Sequence, residues 1–356
     1  MKRILIIKFW ALGDILMATP LLTALKKQWP ECRISWLADT QYADILRGNP
    51  LVDEVIAFDS GEWRREFRYG RFLSYWRISR RLQQSLYSRK FDCVLNLTAE
   101  KWWSIWFNAA PVRIGLFPRP SPGLMGRLYT TAIPRPVEGV KHNSEHYLRP
   151  AEALEIAGPH DMHLVMGVLP EDQRAAQEFL QSQPNYHPDK PIILLHPGTS
   201  QASKCWLPEH FASLAVMLQS RFNVVVTGSL KEQVLADAIA HAMPEASEAP
   251  IIAAGQLKTL QQTAAMVQNA ASVVTGDTSI LHIASALGTP LIGIYGSTRP
   301  GDNAPLFGPQ TLLFDDAVPC APCYKSHCPL AGKDYLRCQR AVTPKQVFEA
   351  IQALLK

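Results

Sequence analysis

The stretch from Ala271 to Gly296 narrows the possible folds more than any other part of this chain. It reads as buried strand, polar turn, helix, tight turn and second buried strand. Apolar strands joined through a helix are the pattern of a βαβ unit in a parallel sheet. The turn Gly276-Asp277-Thr278-Ser279 falls where the first strand ends and the helix begins. In open parallel sheets, ligands bind beyond the carboxyl ends of the strands. A helix N-terminus adds N–H groups without helical partners and the positive end of a dipole. The turn is therefore a candidate site for a phosphorylated ligand. A plain N-cap role for Asp277 or Thr278 is the structural alternative.

The same alternation runs along the rest of the chain. Strands are expected at Arg3–Phe9, Arg33–Ala38, Val52–Phe58 and Phe91–Leu97, with helices at Asp14–Trp29, Tyr42–Arg47 and Gly70–Arg89. The Pro- and Gly-rich region Arg113–Val140 reads as a loop-laden connection, Asn143–Ala157 as a helix and Pro159–Pro170 as an interdomain stretch. A second series follows, with strands at Pro191–His196, Asn223–Thr227 and Ile251–Ala253. Its helices are expected at Pro208–Ser220, Lys231–His241 and Thr259–Gln268. A length of 356 residues suits two domains. The expected fold class is α/β, with two Rossmann-like domains, 1–165 and 166–342, facing each other across a cleft. A final helical segment, 343–356, carries Val347, Ile351 and Leu354 at helical spacing and is a candidate to pack back on the N-terminal domain.

A net charge of +5 is too mild for a nucleic-acid signature and suits an anionic substrate or membrane surface. No apolar run approaches transmembrane length, and Lys8 and Asp14 interrupt the N-terminal run too early for a signal peptide. The expected location is cytoplasmic. An odd total of seven cysteines argues against a disulfide framework there.

Several segments have the composition of a binding or catalytic site. Lys8–Asp14 leaves the first strand, and Gly13 permits close backbone approach. It lacks G-x-G-x-x-G, which disfavours NAD and FAD. Asp14 reads either as a helix cap or as a carboxylate general base. His196–Pro208 gathers Gly198, Thr199, Ser200 and Lys204, the ingredients of a phosphate cradle without a Walker sequence. A solvated Lys204 is the alternative there. His282, about one turn into its helix, is either an ordinary helix residue or a phosphate or sugar contact.

Trp63–Lys90 interleaves Arg64, Arg65, Arg68, Arg71, Arg77, Arg80, Arg81 and Arg89 with aromatic residues. Such a surface binds phosphates, lipid headgroups or single-stranded nucleic acid, or is a plain solvated face. Cys320, Cys323, Cys328 and Cys338 form C-x2-C-x4-C-x9-C, a candidate structural zinc or iron site with His327 as a further ligand, or a reduced loop.

In combination and in this order, ILIIKFWALGDILMATPLLTALKKQWP, HPGTSQASKCWLPEHFASLA and VVTGDTSILHIASALGTPLIGIYGSTRP resemble glycosyltransferase family 9, the bacterial heptosyltransferases of lipopolysaccharide inner-core synthesis. The block CAPCYKSHCPLAGKDYLRC is similar to cysteine-bearing tails of several members. The resemblance covers nearly the whole chain. It implies a GT-B fold and inverting transfer from an ADP-activated heptose, and Lys204 with the amides near Thr278 and Ser279 at the diphosphate would make a catalytic metal unnecessary. It places the catalytic aspartate on Asp14 and the donor phosphate contacts on Thr199, Ser200 and Lys204. The donor motif falls on Asp277, Thr278, Ser279 and His282, and Ser279 stands where many members have Gly.

The implied partners are an ADP-sugar and an anionic glycolipid, with the protein peripheral to the inner membrane. Since such acceptors carry carboxylates and phosphates, Arg64, Arg68, Arg71, Arg77 and Arg80 are the acceptor candidates. A structural metal at the four cysteines is a further expectation. The alternatives are a different nucleotide-sugar or acceptor, a nucleotide-sugar epimerase or hydrolase, and a non-catalytic nucleotide- or glycolipid-binding module.

Overall fold

A computed structural model describes residues 1–99, 106–119, 122–135 and 142–356, which fall into two compact units, Met1–Gly167 and Val168–Lys356. The first unit begins with β1 (Arg3–Ile7), α1 (Leu12–Met17), α2 (Pro20–Gln28), β2 (Arg33–Asp39), α3 (Thr40–Ala43) and β3 (Glu54–Phe58). Next come α4 (Ser60–Arg68), α5 (Phe72–Ser88), β4 (Cys93–Asn96), β5 (Val112–Phe117), α6 (Gly123–Gly126), β6 (Thr131–Pro134) and α7 (Asn143–Ala153). Its strands form one parallel sheet in the order β3-β2-β1-β4-β5-β6. Ile4, Leu5, Ile6 and Ile7 are all fully buried, as central parallel strands covered on both faces require.

Three differences from the sequence reading have local causes. The expected helix Asp14–Trp29 is two helices, because Pro20 has no N–H to offer the Leu16 carbonyl. The Thr19 hydroxyl donates to that carbonyl instead, at 2.7 Å. Helix α4 was not expected. Asp59 caps it by accepting from the Glu62 amide at 2.6 Å, and Trp63 anchors it beneath α5 with a 2.7 Å hydrogen bond from Nε1 to Ser79. Finally, the supposed loop Arg113–Val140 contains β5, α6 and β6. Pro134 is tolerated because β6 is an edge strand. Positions 120–121 and 136–140 of that region lie outside the described residues.

The second unit opens with α8 (Pro170–Gln181), β7 (Ile192–His196), α9 (Pro208–Leu218), β8 (Asn223–Val226), α10 (Gln233–Ala242), β9 (Ile251–Ile252) and α11 (Leu260–Asn269). It continues with β10 (Ser272–Gly276), α12 (Ser279–Leu287), β11 (Leu291–Ile294), α13 (Pro300–Asn303), β12 (Gln310–Leu313), α14 (Arg337–Ala341) and α15 (Pro344–Leu354). The sheet order is β12-β11-β10-β7-β8-β9, again all parallel. Gly288 ends α12 in the left-handed conformation, φ 72°, where a side chain would be strained. Val347 and Ile351 of α15 are buried in this unit's core with Phe211, Leu214 and Leu218 of α9. The apolar stripe of the final helix is therefore packed inside the second unit's core.

Counted from its own first strand, each sheet has the order 3-2-1-4-5-6. The connections change direction between β1 and β4 in one unit, and between β7 and β10 in the other. At these switch points the loops diverge to opposite faces and leave a crevice for a ligand.

Candidate active site

In the second unit, the loops after β7 and β10 carry the proposed donor residues. Lys204 sits in a short 3₁₀ turn, Ala202–Lys204, and its Nζ lies 2.6 Å from Oδ2 of Asp277. The same oxygen accepts from Thr298 Oγ1 at 2.8 Å. Thr278, not Asp277, is the N-cap of α12, and it makes no side-chain cap bond. The Asp277 carboxylate is thus used to orient a lysine and a threonine at the strand ends, and the capping alternative fails for it.

A Cβ at Gly276 would lie 2.7 Å from the Lys204 carbonyl, so glycine is what lets the two loops meet. Ser279 lies in the first turn of α12 and is not among the residues with positive φ. Its backbone therefore does not need glycine. Thr199 Oγ1 donates to the Gln201 carbonyl at 2.6 Å, Ser200 is exposed, and His282 is buried within α12. Behind Asp277, Tyr295 is buried, and burial together with the Asp277 charge holds its hydroxyl well above the usual tyrosine range.

In the first unit, α1 starts at Leu12 with Ala11 as N-cap, so Asp14 lies in the first turn and is not a cap. Its Oδ2 is held by Lys8 Nζ at 3.3 Å, and Lys8 also lies over the Tyr147 ring, 4.9 Å from its centroid. Lys8 is buried, whereas 30 % of the Asp14 side chain is exposed. Next to Tyr147, His146 is held down to about 4 by burial and by the charges of Arg135, Arg149 and Lys8.

The arginines do not form one cluster. Arg64 lies over the Trp10 ring, 5.0 Å away, which brings it to the loop that leads to Asp14. Arg71 pairs with Glu66 at 3.1 Å and Arg80 lies over Trp76 at 4.9 Å, while Arg68 and Arg77 are exposed. Around them Phe67, Tyr69, Phe72, Leu73 and Trp76 are also exposed, Leu73 to 83 %. Arg89 is different: it pairs with Glu54 at 2.7 Å and is structural.

Sequence reasoning assigned no role to Lys8, Thr298 or Tyr295. The signal for Lys8 was a lysine ending an otherwise apolar strand. For Thr298 it was the small-residue run Gly296-Ser297-Thr298 after β11. Among the described residues, no helix is long and apolar enough to cross a membrane.

Comparison with known proteins agrees with this architecture. Lipopolysaccharide heptosyltransferase 1 of Pseudomonas aeruginosa is 26% identical, with 99% of this chain and 98% of that protein covered. A family 9 glycosyltransferase from Veillonella parvula superposes with a TM-score of 0.81 at 22% identity, covering 99% of this chain and 97% of that one. The Escherichia coli ADP-heptose lipopolysaccharide heptosyltransferase II gives 0.77 at 22%, covering 100% and 98%. The fold is therefore GT-B. The profile of glycosyltransferase family 9 (heptosyltransferase) matches residues 79–333, most of the chain. The chain belongs to glycosyltransferase family 9, the heptosyltransferase family.

Proposed function

We propose that this chain is an inverting heptosyltransferase that moves heptose from ADP-heptose to the inner core of lipopolysaccharide. The observation that carries the reading is the Lys204–Asp277–Thr298 cluster at the β7/β10 switch point, beside the first turn of α12. There the Lys204 ammonium and the amides near Thr278 and Ser279 stabilise the departing diphosphate of ADP. Thr199, Ser200 and His282 complete the donor contacts. Donor and acceptor follow the names of the relatives, an ADP-heptose enzyme in Escherichia coli and a lipopolysaccharide enzyme in Pseudomonas.

The acceptor hydroxyl attacks the anomeric carbon in a single displacement. The bond to ADP breaks as the new glycosidic bond forms, and the partly exposed Asp14 carboxylate takes the proton. Fixed positive charge at the diphosphate does the work that a metal ion does elsewhere, so catalysis needs no metal. Arg64, Arg68, Arg71, Arg77 and Arg80 serve the anionic acceptor. The exposed aromatics and Leu73 among them suit a lipid headgroup layer, with the protein peripheral to the inner face of the cytoplasmic membrane.

Mass spectrometry of products from a panel of ADP- and UDP-sugars with core lipid acceptors tests the reading. One added heptosyl unit, with ADP-heptose as donor, is expected. Use of a UDP-sugar in preference would overturn the donor, and donor consumption without acceptor would overturn the transferase.

A further inference from the structure

A cysteine cavity lies against the Lys204 loop. Cys320, Cys323, Cys328 and Cys338 line one space of about 230 Å³ together with Lys325 and Arg337. Tyr324, directly after Cys323, and Leu336, two residues before Cys338, hold left-handed backbone at φ 54° and 51°. Neither is glycine, so both positions are strained and need a surrounding structure that holds them. The Leu336 amide donates to Cys328 Sγ at 3.3 Å, the type of second-layer bond that supports a thiolate ligand. Lys325 and Arg337 bring positive charge to a place where four thiolates would outweigh one cation.

The same segment braces the donor loops. The Ser203 amide donates to the Ser326 carbonyl at 3.2 Å, and the Ser203 hydroxyl bonds the Lys325 carbonyl. Gln339, next to Cys338, donates to the Ser203 carbonyl at 3.1 Å. Tyr324 donates its amide to the Ser297 carbonyl at 2.8 Å. A Cβ at Gly296 would lie 2.8 Å from Gln339 Nε2 and 3.0 Å from Cys338 Sγ. Ser203 adjoins Lys204 and Ser297 adjoins Thr298, the two partners of Asp277.

We infer that the four cysteines bind one tetrahedral metal ion of the zinc or iron class, and that this ion holds the Lys204 and Thr298 loops in place. Four thiolates at short spacing select these ions. Among the described residues, no group of three or more His, Cys, Asp or Glu side chains is already gathered to hold a metal. Binding as proposed requires the thiols to turn inward from their positions in this structure, forming four metal–sulfur bonds and releasing one proton from each thiol. His327 is exposed, bonds Ser326 at 3.1 Å and does not line the cavity, so the proposed ligand set is the four cysteines. The bracing role rests on the proposed donor role of Lys204, whereas the metal site stands without it.

Elemental analysis of the purified full chain should give about one zinc or iron per molecule. Chelator-treated wild-type chain titrated with Co²⁺ should develop strong thiolate-to-cobalt absorption, lost in Cys323→Ser. Absence of metal from the purified chain together with absence of that band overturns the site. By calorimetry, the metal-free chain should bind ADP on the order of tenfold more weakly than the loaded one. Ser203→Ala should retain its metal and weaken ADP binding in the same direction. ADP affinity indifferent to both changes overturns the brace, and a loaded chain that binds no ADP overturns the donor reading instead.

Discussion

Each sheet places a lysine–carboxylate pair at its switch point, and the two pairs are built differently. In the first unit the lysine is the enclosed partner, with side-chain exposures of 7% for Lys8 and 30% for Asp14. Its contact is loose, 3.3 Å, and the carboxylate faces outward. In the second unit the pair is tight, 2.6 Å, and exposures are 14% for Lys204 and 10% for Asp277. There the carboxylate is the fixture, holding Thr298 as well. One arrangement leaves a carboxylate partly open to solvent, and the other gathers a cation and a threonine hydroxyl on an enclosed carboxylate, as the proposed acid–base and phosphate roles require. The same topology thus carries both arrangements, and the difference is that the first encloses only its lysine while the second encloses both partners.

The sharpest way to break this contrast is Asp14→Ala. Turnover should fall by about 10²–10⁴-fold while ADP affinity changes little, and near-normal turnover would remove the general base. Lys204→Ala should cost about 10²–10³-fold in kcat and also weaken ADP binding, which a calorimetric titration reads directly. If it lowered turnover with ADP binding intact, the second pair would not be a phosphate site. Lys8→Met leaves Asp14 without its fixing partner. It should slow turnover by roughly tenfold through misplacement, again with ADP affinity unchanged.

For the basic face, Arg77→Glu with Arg80→Glu should raise acceptor KM several-fold, about 1 kcal/mol in all, with donor KM constant. An unchanged acceptor KM assigns those arginines to solvent.

The last effect is on stability and not on activity, a pH dependence to which the first unit contributes through one histidine. His146 is held down to about 4 in the folded chain against an ordinary value of 6.5. As the pH falls through 6.5 the unfolded chain takes up the proton first, so stability declines from there toward about 4. Below that, both states are protonated and this residue adds no further loss. Thermal melts across that window should show the decline, and His146→Gln should lessen it, the remainder belonging to His196 and His210 of the second unit, which burial also holds below the ordinary value.

Much of this architecture was legible in the residues. Apolar runs ending at Ile7, His196, Gly276 and Ile294 read as buried strands because parallel strands covered on both faces leave no room for polar alternation. The places of Asp14, Lys204 and Asp277 after strand ends were legible because glycine and small polar residues mark the strand-to-helix turns. What stayed hidden depends on distant partners. Trp63 makes α4 a helix by bonding Ser79 under α5, and β6 exists because β5 offers it an edge. Local periodicity cannot show either. The role of Thr298 likewise depends on a carboxylate 21 positions away in sequence.

The Thr19 hydroxyl shows how little material separates a hinge from a fixed joint. It donates to Leu16 where Pro20 cannot, and it accepts the Val165 amide at 2.8 Å, near the end of the first unit. Six residues of α1 are too few to hold a helix by themselves. One oxygen atom therefore splints the turn of backbone that bears Asp14, tying the aim of a carboxylate near the start of the chain to a strip of polypeptide some 150 residues later.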